Sequence, residues 1–543
     1  MKQKYSPELN ETWPEIALRV CTHVFSVVKD KKKRDKLIEN GVRIITERKF
    51  IPGGRYLYAA GRPFHQVQNC LLMRAEDSRE GWADHLQKCA MALMTGAGIG
   101  IDYSLVRPRG SIIKRTGGFA TGPIALMLMT NECGRGIMQG GSRRAAIWAG
   151  LNWAHKDIFE FIHLKDWSPE VKALKAKDFN FPAPMDMTNI SVLLDDEFFK
   201  AFADKNYVHP DPDMSHVNHK WAQRVYWETI RQMLETAEPG FSVDCGLNAG
   251  ETLRNACTEV TSADDSDICN LGSINMAQIE SLEEMREIVE FGVEFLLCGT
   301  LYSDVPYQKV AEVREKNRRL GLGLMGIHEW LLKKGKQYGP DEELEDYLRI
   351  YATSSTVAAR LADGLGVSRP VKTRAIAPTG TIGIIAETTT GLEPLFCVAY
   401  KRRYLKGQIW HYQYVLDPTA KRLIESGVNP DLIEDAYTLA AEPERRVAFQ
   451  AWLQKYVDHS ISSTLNLPAW GTEFNNEDKV KSFGNMLIKY LPNLRGFTCY
   501  PDGARSGQPI NVVSYKTAMK HVDEIFIEQA DICDISHGGT CGA

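Results

Sequence analysis

From residue 51 onward the chain is written in short apolar segments cut by glycine and proline, interleaved with longer amphipathic stretches such as 282–298 and 342–362. Short apolar runs between turn signals suit strands, and longer runs with helical periodicity suit helices. Their alternation predicts an α/β core. The first 50 residues read differently. Thr12-Trp13-Pro14-Glu15 has the form of a capping box, and Ile16, Val20, Val24 and Val27 follow at helical spacing, so this region is predicted to be helical.

With 543 residues, 44% hydrophobic and 25% charged, the chain can bury one large core or several ordinary ones. A net charge of −4 gives no summed basic field for a nucleic-acid partner, whereas small phosphorylated ligands remain open through local sites. The start lacks the apolar core of a signal peptide, and no apolar run is long enough to span a bilayer, so no membrane association is expected. The expected compartment is the cytoplasm, of a cell or of an infected host. Twelve cysteines are too few for a secreted disulfide scaffold and are expected to be mainly free thiols.

The most informative stretch is Asn255-Ala256-Cys257-Thr258-Glu259, followed by Cys269-Asn270-Leu271-Gly272-Ser273-Ile274-Asn275. In an extended segment, amide, thiol and carboxyl at i, i+2 and i+4 project to one side, where a single ligand can meet them. A structural reading stands beside this one, because free cysteine behaves as a small buried hydrophobe. Zinc is the next alternative, but Cys245, Cys257 and Cys269 are spaced by twelve with no CxxC or HxxxH pair attached, which is not ligand spacing. No metal is expected to be bound by this chain.

Asn-x-Cys-x-Glu followed closely by Cys-Asn-Leu-Gly-Ser-Ile-Asn resembles the active-site loop of ribonucleotide reductases, and Asn69-Cys70-Leu71-Leu72 with Asp77-Ser78 stands where that family has its upstream cysteine. The resemblance continues through Phe50-Ile51-Pro52-Gly53, Glu238-Pro239-Gly240, Arg319-Leu320-Gly321-Leu322-Gly323 and Tyr500-Pro501-Asp502-Gly503. It implies a ten-stranded α/β barrel of two parallel five-stranded halves with a central finger loop over 51–531, preceded by the helical region 1–50 without an ATP-cone and followed by a cysteine tail over 532–543. It also implies roles. Cys257 carries a thiyl radical that abstracts the ribose 3′-hydrogen, Glu259 is the general base on the 3′-hydroxyl, and Asn255 holds the sugar. Cys70 and Cys269 supply the reducing equivalents and end as a disulfide. Cys533 and Cys541 reduce it by thiol exchange, themselves served by a thioredoxin- or glutaredoxin-like partner; the seven residues between them depart from the tighter pairs common in family tails, and an inert terminal pair is the alternative.

Ala377-Pro378-Thr379-Gly380-Thr381-Ile382-Gly383 joins glycines and hydroxyls in a stretch whose N–H groups can converge on an anion, though alone it would pass for a turn. By resemblance Thr379, Gly380 and Thr381 bind the phosphates of a ribonucleotide substrate. Gly96-Ala97-Gly98-Ile99-Gly100 lacks the full GxGxxG spacing and is rejected as a dinucleotide loop. The resemblance instead places an allosteric deoxynucleoside triphosphate at Asp77 and Ser78, on its sugar, and at Arg107 and Lys114, on its phosphates; a solvated charged face is the bland alternative. Gly117-Gly118 and 139–144 resemble the loops through which the effector selects the substrate base, at a homodimer interface.

The radical source is the remaining question. Nothing at the C-terminus looks like a glycyl-radical motif. Cys499-Tyr500 stands where enzymes served by a separate ferritin-like metal subunit carry adjacent tyrosines, which argues for adenosylcobalamin. The compact chain with its Tyr-Pro-Asp-Gly-Ala-Arg wording resembles cyanophage reductases that use a small radical subunit. The expectation is therefore a separate metal-containing subunit with Tyr500 as a relay, and adenosylcobalamin is the alternative. A non-catalytic nucleotide-binding relative would be expected to lose Cys257 or Glu259, and both are present.

Overall fold

Ten strands of the computed structural model join in one mixed sheet: β1 Phe50–Pro52, β2 Cys70–Arg74, β3 Gly98–Asp102, β4 Ile147–Asn152, β5 Thr188–Asp195, β6 Gly240–Asp244, β7 Asp267–Asn275, β8 Leu320–Met325, β9 Thr464–Leu467 and β10 Gly496–Pro501. The structure describes residues 5, 10–115, 117–139, 143–178, 181–246, 249–406, 409–504, 510–522 and 524–527. Strands β2 to β6 lie side by side in chain order, each parallel to the next. Parallel neighbours need crossover connections, and helices Arg79–Met94, Pro123–Gly136 and His219–Thr236 lie in three of them.

Strand direction reverses at both edges of this run, where β2 pairs antiparallel with β7 and β6 antiparallel with β10. Beyond the edges, β7 runs parallel to β8 and β9 parallel to β10. Single parallel bridges, Leu322 to Arg374 and Ile376 to Ile461, link these two pairs. The α/β class agrees with the sequence pattern, and the large mixed sheet is consistent with the barrel that the family resemblance implies. The division into two equal halves is drawn by continuous pairing in one half only, because the second contains these single bridges in place of a full central strand.

Two apolar cores flank the sheet. One lies between β2–β6 and their helices, with Leu71, Ile99, Val192, Phe198 and Tyr226 fully buried. The other gathers the N-terminal helices Trp13–Val24 and Lys31–Thr46 against helix Leu282–Tyr302 and β8, through Ile16, Val20, Val24, Phe295 and Leu322. The Thr12 amide donates to Glu15 Oε2 at 2.6 Å, satisfying one orphan donor of the first helix. The stretch 342–362 forms two helices, Glu342–Ala352 and Ser354–Leu365. The break has a local cause: Arg374 donates to the Ala352 carbonyl and to the Ser354 hydroxyl, at 3.0 and 2.8 Å, which draws that turn toward the sheet. Among the described residues, no helix is long and apolar enough to cross a membrane.

Candidate active site

A short hairpin carries the cysteine-carboxylate motif. Leu253–Arg254 pairs antiparallel with Thr261–Ser262, leaving 255–260 as its tip. The hairpin lies directly on β3, and two glycines there allow it. A Cβ on Gly100 would sit 1.9 Å from the Arg254 carbonyl oxygen, and one on Gly98 would sit 3.0 Å from Ala256 Cβ. The Gly98-Ile99-Gly100 spacing thus serves close backbone approach rather than a nucleotide loop. Of the strand and the loop that the spacing allows, the tip is a loop with a tight turn: Thr258 N donates to Asn255 O at 3.0 Å, and Thr258 has φ +68°. A β-branched residue in the left-handed region stores strain of order 1–3 kcal/mol, as is common where a functional loop is over-determined by its surroundings. Asn255 Oδ1 accepts the Val260 amide at 3.0 Å and pins the turn.

Asn255, Cys257 and Glu259 nevertheless face one cavity of about 180 Å³, together with Asn69 and Cys70. Cys70 stands directly opposite Cys269 across the β2–β7 pairing, and both are buried free thiols. Directly opposed residues in an antiparallel pair have Cα atoms about 4.5–5.5 Å apart, inside the range a disulfide needs. Burial pushes both thiols up, with nearby Glu259 adding to the shift at Cys70 and Asp267 at Cys269, so both are held protonated. The Cys70 thiol donates to Glu259 Oε1 at 3.9 Å. Glu259 is 1% exposed, its Oε2 has no hydrogen-bond partner, and burial raises its carboxyl to about 7 against weaker opposing hydrogen bonds from its own backbone, Asn255 and Cys70. It is a carboxyl poised to exchange a proton near neutral pH.

Thr379, Gly380 and Thr381 line the same cavity, so this stretch and the thiol end are continuous. Thr379 has φ +50°, and its hydroxyl accepts the Gly391 amide at 2.8 Å. Among the described lining residues there is no lysine or arginine, so an anion held here relies on backbone N–H and hydroxyl donors. Sequence reasoning gave no role to Tyr5, Gly53 or Ser273, which also line the cavity. Ser273 follows Cys269 and Leu271 on one face of β7, a period-two signal available in the sequence; Tyr5 has no such signal.

The remaining assignments lie elsewhere. Arg107 Nε donates to Asp77 Oδ2 at 2.7 Å on the exposed side of the fold, and Ser78 caps helix Arg79–Met94 through the Gly81 amide at 2.9 Å. Lys114 is exposed in the loop that follows β3. Residues 140–142 of the proposed selectivity loop, and Cys533 and Cys541, lie outside the described residues. Tyr500 is half-buried in β10 and is not among the residues lining the cavity. Its neighbour Cys499 is buried with its thiol toward the Met233 carbonyl, at 3.5 Å. Among the described residues, no group of three or more His, Cys, Asp or Glu is arranged to hold a metal.

The chain matches the family model described as ribonucleotide reductase, barrel domain, over residues 68–372 and 366–490. Similar proteins include a vitamin B12-dependent ribonucleoside-diphosphate reductase of Thermoplasma acidophilum, 27% identical over 88% of this chain and 66% of the relative. One of the same name from Mycobacterium tuberculosis is 26% identical over 90% of this chain and 74% of the relative. A putative adenosylcobalamin-dependent ribonucleoside-triphosphate reductase of Mycobacterium phage D29 is 24% identical over 72% of each chain. This chain thus spans about two-thirds to three-quarters of these relatives' lengths. Their names correct the expectation of a radical delivered by a separate ferritin-like metal subunit, since all three are cobalamin-dependent proteins. In the structure position 499 is a cysteine buried against the Met233 carbonyl, so no adjacent tyrosine pair stands at 499–500.

Proposed function

The chain belongs to the ribonucleotide reductase family of oxidoreductases, and from that membership we propose that it reduces ribonucleotides to 2′-deoxyribonucleotides with adenosylcobalamin as radical source. The observation that carries this reading is the convergence, around one cavity, of Cys257, Glu259 and Asn255 from the finger with Thr379, Gly380 and Thr381, backed by the opposed thiols Cys70 and Cys269. Cys257, as a thiyl radical, takes the 3′-hydrogen and later returns it. Glu259, with its carboxyl near 7, accepts the 3′-hydroxyl proton, and Asn255 orients the sugar. The 2′-hydroxyl leaves as water. Cys70 and Cys269 each give up one hydrogen and join as a disulfide, so two electrons and two protons balance the deoxygenation. Cys533 and Cys541, with a thioredoxin- or glutaredoxin-like partner, return that disulfide to thiols.

Adenosylcobalamin supplies, when bound, the radical equivalent that Cys257 needs. Cys257 and the small residues Gly53, Gly54, Gly96, Gly98 and Ala146 line a cavity of about 180 Å³, which is too small to enclose that group, so adenosylcobalamin would have to meet Cys257 from outside this cavity. In the same reading β2–β10 close into a ten-stranded barrel with 374–376 as the strand between β8 and β9, and β1 lies outside it. Asp77, Ser78 and Arg107 bind a deoxynucleoside triphosphate effector, with Lys114 closing on its phosphates. Exposed Met91, Met94, Met129, Ile112 and Phe119 supply apolar surface for a homodimer beside that site. The link to compact cyanophage enzymes rests on the compact chain and the wording around Tyr500.

The test is reduction of ribonucleoside di- and triphosphates by the purified chain with adenosylcobalamin and a small dithiol. Turnover is expected from the wild type and not from Cys257→Ser, with nucleotide binding retained in both. Undiminished turnover by Cys257→Ser would sink the mechanism, and a wild type that turns over only with an added metal-containing subunit would sink the cofactor assignment.

A further inference from the structure

Two hydrogen-bonded ladders meet in the segment 458–462. On one side it runs beside 374–376, which leads into the phosphate stretch. His459 N donates to Arg374 O at 3.0 Å, Ile376 N to Ser460 O at 3.2 Å and Ser462 N to Ile376 O at 2.9 Å. On the other side it grips the finger, where Ser460 N donates to the Glu259 carbonyl at 2.9 Å and Thr261 N donates to His459 Nδ1 at 3.1 Å. Gln454 Nε2 donates to the His459 carbonyl at 3.0 Å and fixes this residue's own backbone.

His459 is fully buried. Accepting an amide at Nδ1 requires the neutral ring with its proton on Nε2. Burial holds the imidazole in that form, and the positive charges of Arg319, Lys372, Arg495 and Arg374 add to the effect. Asp458 completes the joint by accepting the Arg374 amide at 2.7 Å. The segment therefore touches both the carbonyl of Glu259 and the strand entering Thr379, while His459 itself does not line the cavity.

We propose that His459 is a positioning residue: with the Ser460 amide it forms a strut tying the finger loop to the phosphate loop, so that seating a substrate phosphate and presenting Cys257 and Glu259 are set together. This rests on the nucleotide-reducing reading above. An uncharged acceptor of the right reach is what the strut requires at 459. His459→Asn retains one, whereas His459→Phe fills the space and leaves the Thr261 amide buried and unpaired.

Two measurements on the full chain test it. In hydrogen exchange of the wild type, a saturating ribonucleoside diphosphate or triphosphate is expected to slow peptides covering 255–262 and 458–462 together with 377–381. Slowing at 377–381 alone overturns the strut; no slowing anywhere removes the nucleotide-binding reading and the strut with it. Slowing in all three segments, in a chain that reduces nothing, would leave the strut standing and refute the reductase reading instead. In steady-state kinetics, His459→Phe is expected to lower kcat at least about tenfold, as small misplacements of reacting groups do, with KM moved less than about threefold. His459→Asn is expected to recover most of kcat. Wild-type kcat in the Phe variant, or equal losses in both variants, overturns the proposal, and if neither variant folds the exchange result decides.

Discussion

Glu259→Gln separates the chemical role of this carboxyl from its energetic cost. Burial raises the group from 4.5 to about 7, and each unit corresponds to 1.36 kcal/mol, so ionising it inside the fold costs about 3 kcal/mol. The folded protein holds this proton between pH 4.5 and about 7 where the unfolded chain has released it. Stability from this group is therefore fully present below pH 4.5, declines as pH rises and is lost above about 7. Glutamine cannot ionise. The variant is expected to match the wild type near pH 4.5 and to exceed it progressively up to neutrality, and with an unfolding entropy of about 2.1 cal/mol/K per residue over 543 residues the gap reaches only about 3 °C in Tm. Scanning calorimetry from pH 4.5 to 8 reads it. Activity moves the opposite way: wild-type kcat/KM should rise with pH toward a plateau above about 7, and the variant should lose roughly 10²- to 10⁴-fold with no such limb, as for removal of a general base. A Tm gap independent of pH, or a wild-type limb centred near 4.5, would refute the burial argument; normal turnover by the variant would refute the base.

Other residues give independent checks. Gly100→Ala places a Cβ 1.9 Å from the Arg254 carbonyl oxygen, so the hairpin must retreat by about 1.4 Å to restore an ordinary C···O separation; a loss of turnover near 100-fold is expected, and a crystal structure of an active variant with an unmoved finger would contradict it. Cys70→Ser or Cys269→Ser should prevent the disulfide, so that thiol titration after one turnover without external reductant finds two thiols lost in the wild type and none lost from this pair in either variant; repeated normal turnover by either variant would make both cysteines structural. Arg107→Ala removes the partner of Asp77 and should weaken deoxynucleotide control of which base is reduced, leaving unregulated turnover in place; effector response identical to wild type in a substrate-competition assay would dismiss that site.

Asn255, Cys257 and Glu259 were legible as candidates because amide, thiol and carboxyl stand at every second position, which brings them to one side in a non-helical backbone, and all three line one cavity; the roles given to them are proposals. The backbone itself was not legible. The spacing suited an extended strand or a loop, and the Thr258 turn and the close seat on β3 are the loop form of that convergence. The Gly96–Gly100 run was rejected as a dinucleotide loop, and its part in seating the hairpin was not readable, since the approaching Arg254 lies 154 positions beyond Gly100. His459 and Tyr5 gave no signal at all, because an imidazole or a phenol becomes a site residue only through what tertiary packing brings against it.

The thiol pair shows where local reading stops and why. Cys70 and Cys269 are opposed because β2 and β7 meet where parallel order gives way to an antiparallel pairing. Antiparallel register is fixed to the residue, and a slip of one position would turn one thiol to the opposite face of the sheet. Neither strand's own sequence specifies that register. It is set from both sides at once, by β3 holding β2 with Cys70 opposite Gly98 and by β8 holding β7 from Asn270 to Asn275. If Cys70 and Cys269 are the reducing pair proposed above, they can close into a disulfide with the ladders on the far sides of β2 and β7 intact.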